Sequence, residues 1–136
     1  MTTYLNTLLT EKQNYVSKRE REYPIHLSQL DSEFVPTCLY QLMQVHKQCR
    51  KSGLIGEIIR ASPDDGLIQI GDIRRQVGHY IVGGVIAVSV NTETNWFGGD
   101  KQHLEKAREV IDSQGKPVVL IQRDFIFTRY QILESL

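Results

Sequence analysis

Three short polar stretches, each closing an apolar run, carry the residues best suited to chemistry. They are Glu57, Arg60 and Ser62; Ser89, Asn91 and Glu93, followed by Trp96-Phe97-Gly98-Gly99; and Gln122, Arg123 and Asp124. A carboxylate, a guanidinium and several hydroxyl and amide groups beside an aromatic ring can hold a small anionic ligand. Each group also has a purely structural reading. Glu57 lies among apolar neighbours, and a buried carboxylate is costly unless satisfied, so an ion pair with Arg123 or Arg60 would also account for it. Ser62-Pro63-Asp64-Asp65-Gly66 has the composition of an ordinary turn. Trp96 and Phe97 ahead of two glycines fit either a lid over a pocket or apolar cover beneath a loop. His26, His46, His79 and His103 share no spacing with carboxylates or cysteines that suits a metal, so neither a metal nor another cofactor is expected.

In parallel α/β folds the loops leaving the carboxyl ends of the strands converge on one face, which is where these residues would have to lie. The apolar runs Leu54 to Ile59, Val85 to Val90 and Pro117 to Ile121 read as buried strands. Between them Ile73, Val77, Tyr80 and Ile81, then Leu104, Ala107, Val110 and Ile111, recur at helical spacing behind the caps Asp72 and Asp100. Strand, helix, strand, helix, strand is the grammar of a parallel sheet. Two helices should precede it. Tyr4, Leu5, Leu8, Leu9, Lys12, Tyr15 and Val16 form the first stripe, with Thr2 or Thr3 as cap and charged residues from Lys18 to Glu22. After Tyr23-Pro24 and a polar stretch, Leu39, Leu42, Met43, His46 and Cys49 or Arg50 form the second, closed by Lys51-Ser52-Gly53. The run Tyr130 to Glu134 looks like the start of one more helix.

The chain of 136 residues and 15.6 kDa is the size of one domain, able to bury roughly two-thirds of its unfolded surface. With 16 basic and 16 acidic residues the net charge is zero, which argues against nucleic acid or an anionic membrane as partner. Cys38 and Cys49 lie too far apart along one helix for a disulfide and read as buried small hydrophobes in a reducing cytosol. No apolar run approaches the ~18 residues of a membrane span, and the first residues lack a signal-peptide core. A cytoplasmic protein is expected.

The run Glu57-Ile58-Ile59-Arg60-Ala61-Ser62-Pro63-Asp64-Asp65-Gly66-Leu67-Ile68 resembles the first-strand motif of indole-3-glycerol phosphate synthase, E-I-K-R-A-S-P-S-K-G-L-I. Two more motifs follow in order. Ile86 to Glu93 with Trp96-Phe97-Gly98-Gly99 is similar to the family's A-I-S-V-L-T-E and its aromatic-Phe-x-Gly sequel, and Pro117 to Ile126 with Tyr130-Gln131-Ile132 is similar to P-V-L-R-K-D-F-I…Y-Q-I. The resemblance implies an α/β fold, a partial TIM-barrel-like (β/α) module with about three parallel strands and two amino-terminal helices. It would be organised as a helical extension over 1–53 and β/α units over 54–136.

The family reaction closes an indole ring on a carboxyphenylamino deoxyribulose phosphate with loss of carbon dioxide and water, using lysines from strands one and three. The resemblance places Glu57 at the family's active-site glutamate, Ser62 at a serine near the substrate carboxylate and Phe97 at the pocket aromatic. It places Ile59 and Arg123 at the two lysines. Isoleucine carries no charge and transfers no proton, and arginine is a poor general acid near neutral pH. Glu57, Ser62, Phe97 and Arg123 are therefore expected as ligand-binding remnants, with synthase turnover lost. A full eight-stranded barrel takes ~250 residues, and an open three-stranded sheet leaves edges and an apolar face uncovered. A protein partner or homo-oligomer covering the sheet is expected. The alternatives are one part of a split synthase completed by another chain, and a degenerate fragment with no role.

Overall fold

The computed structural model describes residues 2–26 and 38–135, apart from the side chains of Thr2 and Thr3. The cap expected at Thr2 or Thr3 and most of the polar stretch after Pro24 lie outside the described residues. The chain divides into two compact units, one of residues 1–35 with 125–136 and one of residues 36–124.

In the larger unit, β1 (Ile55–Ile58), β4 (Ala87–Asn91) and β5 (Val119–Arg123) form a parallel sheet in the order β1-β4-β5. β2 (Ala61–Ser62) and β3 (Gly66–Leu67) form a separate antiparallel hairpin. The helices are α2 (Leu39–Gln48), α3 (Ile73–Val82) and α4 (Lys101–Gln114). The register aligns Glu57 with Ser89 and Ser89 with Ile121, and two residues on, Asn91 with Arg123. Side chains alternate along a strand, so these residues share one face of the sheet while Ile58, Val88 and Val90 share the other.

That second face holds the main core. Ile58, Val88 and Val90 pack with Ile73, Val77 and Ile81 of α3 and with Ala107 and Ile111 of α4. Val77, Val88 and Val90 are fully buried, each contributing about 1.5–3 kcal/mol by leaving water. Asp72 caps α3 by accepting from the Arg75 N–H at 3.1 Å, and Asp100 caps α4 by accepting from the Gln102 N–H at 2.8 Å. Both caps match the sequence reading. Gly56 is a packing requirement: a Cβ there would lie 2.5 Å from the Tyr80 ring, whose hydroxyl donates to the Glu57 carbonyl at 2.8 Å.

Among the described residues of this unit, the first face is covered only in part. Leu39 and Leu42 of α2 and Ile121 pack against a small cluster of Ile86, Ala87 and Val119. β1 was expected to be buried throughout, yet only Gly56 and Ile58 are, while Ile55 and Glu57 are exposed. The cysteines are likewise corrected. Both are free and exposed, because Cys38 and Cys49 cap the two ends of α2 rather than lying on its packed stripe.

In the smaller unit, α1 (Thr2–Glu22) runs through the charged residues that close its stripe. Leu8, Lys12 and Val16 are its buried positions, at i, i+4 spacing. Arg19 donates through Nη2 and Nε to Glu134 Oε1 at 2.7 and 3.1 Å, just past α5 (Arg129–Leu133). The hydrogen bond to Glu134 raises the Arg19 pKa. α5 opens with a capping box between Thr128 and Gln131, and Tyr130 donates to the Tyr23 carbonyl at 3.1 Å. Among the described residues no helix is long and apolar enough to cross a membrane.

Candidate functional site

The carboxyl ends of β1, β4 and β5 bring the three polar stretches to one end of the sheet. On its open face Glu57 and Arg123 form an ion pair across the central strand, with side chains 42% and 51% exposed. Of the two cations considered for Glu57, Arg123 is the one that reaches it. The Arg60 guanidinium donates instead to the carbonyls of Gln69 at 3.3 Å and Gly71 at 2.5 Å, tying down the segment between the hairpin and α3. Glu57 is thus a paired carboxylate on an accessible face, not one buried among apolar groups. Ile59 directly follows β1, half-buried, two residues beyond Glu57.

Ser62 has local work. Its hydroxyl donates to Asp65 Oδ2 at 2.8 Å and accepts from the Asp65 N–H at 3.0 Å, closing the β2–β3 turn, where Gly66 has φ +67°. The turn composition seen in the sequence is therefore realised. The loop after β4 is organised by Glu93, which is 2% exposed. Its carboxylate accepts from the backbone N–H groups of Asn95 at 3.1 Å, Trp96 at 2.8 Å and Phe97 at 3.1 Å. Asn91 Oδ1 accepts from the Glu93 N–H at 2.9 Å. Gly99 closes the loop by donating to the Glu93 carbonyl at 2.7 Å, and a Cβ there would lie 2.6 Å from the Asn91 oxygen. No side chain fits.

Trp96 and Phe97 are both half-buried, and the Phe97 carbonyl accepts from the Ala61 N–H at 3.0 Å, joining the β4 loop to the hairpin. Thr92, buried and not anticipated from the sequence, donates to Asp124 Oδ2 at 2.8 Å and accepts from Gln122 Nε2 at 3.0 Å. The signal for it was position: the first residue past a buried parallel strand must satisfy its own polar atoms. His103 stands in the first turn of α4, where burial lowers its pKa, Arg60 lowers it further and Asp100 opposes them. Among the described residues no group of three or more His, Cys, Asp or Glu side chains is gathered to hold a metal ion.

The parallel strand order, helices between strands and polar loops at the strand ends define an α/β protein built of the β/α units used in TIM barrels. A family model for indole-3-glycerol phosphate synthase matches residues 5–136, and the chain belongs to that family. It is 32% identical over 99% of its length to indole-3-glycerol phosphate synthase of Roseiflexus sp., covering 51% of that protein, and 30% identical over 99% to that of Syntrophobacter fumaroxidans, covering 50%. It is also 40% identical over 71% of its length to a multifunctional tryptophan biosynthesis protein of Pichia angusta, covering 26% of it. The chain thus spans about half the length of the two synthases.

Proposed function

We propose that this chain is a non-catalytic member of its family, a cytoplasmic protein that keeps a group of polar side chains at the strand ends and acts by protein association through the open face of its sheet. The Glu57–Arg123 ion pair carries this reading. The resemblance puts lysines at positions 59 and 123, where the chain has isoleucine and arginine. Ile59 offers neither charge nor proton, and the guanidinium of Arg123 stays protonated near neutral pH. Arg123 also faces Glu57, so the remaining cation and carboxylate neutralise one another instead of serving a substrate. A small anionic ligand would have to compete with Glu57 for Arg123, with Ser62 and Phe97 flanking the same end of the sheet.

Association is supported by what shares the face with this pair. Ile55 is 50% exposed and Ile121 is half-buried. A carboxylate beside a guanidinium is self-complementary under a two-fold axis, which would set Glu57 of one copy against Arg123 of another. Zero net charge adds no long-range repulsion. The occupant is therefore a second copy of the chain. Light scattering should give a mass that is a multiple of 15.6 kDa, reduced by Ile55→Glu; a single-chain mass at high concentration would remove association from the reading. For the chemistry, Ile59→Lys with Arg123→Lys should yield no indole-3-glycerol phosphate from the family substrate, and turnover by the double variant would refute it.

A further inference from the structure

At the amino end of β1, opposite the strand-end loops, a cleft of about 240 Å³ opens beside the last turn of α2. Its floor is Met43, Ile55 and Ile86, its rim is His46, Lys47 and Lys51, and Gly53 lies between. We infer that this cleft binds a small organic anion with a flat apolar body, an aromatic carboxylate being the class it fits. Two independent features converge on that chemistry.

The first is charge. Lys47 and Lys51 are exposed, and neither ammonium has a carboxylate partner among the described residues. No acidic side chain lines the cleft. The second is shape. A Cβ at Gly53 would meet Ile86 Cδ1 at 2.5 Å, so glycine lets the Ile86 side chain lie in the apolar floor. The volume falls just under the roughly 300 Å³ at which drug-sized pockets begin, which suits a one- or two-ring molecule.

Basic residues also suit the carbonyl end of a helix, which carries about half an elementary negative charge. That accounts for the lysines but not for the cavity beside them. The last carbonyls of α2 are, moreover, already occupied: Lys51 N–H donates to the His46 carbonyl at 2.9 Å, Arg50 N–H to that of Lys47 at 3.1 Å and Cys49 N–H to that of Val45 at 3.0 Å. Two whole positive charges on the rim exceed the residual dipole, so an anion is favoured there.

The test is a titration of the ¹⁵N-labelled full chain with benzoate, with benzyl alcohol as the uncharged match. Benzoate should shift the His46 ring signals and the amides of Met43 to Ile55 saturably, while benzyl alcohol at equal concentration binds at least about tenfold more weakly. Lys47→Ala with Lys51→Ala, both surface positions, should leave the remaining spectrum intact and weaken benzoate at least tenfold. Non-saturable shifts, equal response to benzyl alcohol, or undiminished binding by the double variant would each overturn the assignment.

Discussion

Arg123 at the end of β5 pairs with Glu57 of β1 over the top of β4, although the two strands are not neighbours in the sheet. Adjacent strands lie about 4.8 Å apart, so the pair bridges roughly 10 Å, a span that needs a side chain as long as arginine's. The side chains are 51% and 42% exposed, and solvent screens the attraction. Glu57→Gln should therefore lower stability by less than about 1 kcal/mol in urea unfolding. A loss above about 3 kcal/mol would mean that the pair behaves as a buried one, with its face closed off.

Glu93 is the opposite case. It is 2% exposed and receives three backbone N–H groups of its own loop. Glu93→Gln keeps the shape but loses the charge and turns one acceptor into a donor facing N–H groups. A cost of about 2–4 kcal/mol is expected, read by urea unfolding together with loss of amide protection at Asn95 to Phe97. A change under 0.5 kcal/mol, roughly the surface-substitution level, would contradict the role given to this carboxylate.

Two glycines should respond to alanine with opposite sign. At Gly99 the new Cβ would meet backbone at 2.6 Å, and Gly99→Ala should destabilise by about 1–3 kcal/mol. Gly78 lies within α3 with nothing within 4 Å of an added Cβ, and Gly78→Ala should stabilise by roughly 0.5–1 kcal/mol. Thermal melts of the two variants check both signs.

The cap of α3 sets an acid-side dependence. The backbone hydrogen bond from Arg75 holds the Asp72 pKa below its ordinary value. A carboxylate with a depressed folded-state pKa contributes stability that is full above its unfolded value, about 3.9, and is lost as pH falls through the folded value. Asp72→Ala should thus melt earlier than the unaltered chain at pH 7, with the gap closing below pH ~4. A gap independent of pH would assign the effect to helix propensity instead of the charged cap.

The sequence made the β/α order legible because apolar runs and capped 3.6-residue stripes are local signals, and Asp72, Asp100 and the Ser62 to Gly66 turn stand where those signals place them. What stayed hidden depends on contacts across the sheet. That Glu57 would face solvent followed from β1 having one packed face and one open one, which an apolar run alone does not reveal. Cys38 and Cys49 belonged to an apolar-looking helix, and only its true ends, Leu39 and Gln48, put them outside the packed stripe. Glu93 looked like a ligand-facing acid and is an organiser of its own loop, because its partners are main-chain N–H groups that leave no mark on residue type.

The most direct test of the account is the steady-state formation of indole-3-glycerol phosphate by the purified, unaltered chain, followed by indole fluorescence beside the Roseiflexus synthase to which it is 32% identical. With Ile59 uncharged and Arg123 engaged by Glu57, no product above the enzyme-free rate is expected. Saturable turnover that disappears in Glu57→Gln would contradict the account and establish a working synthase site on this sheet.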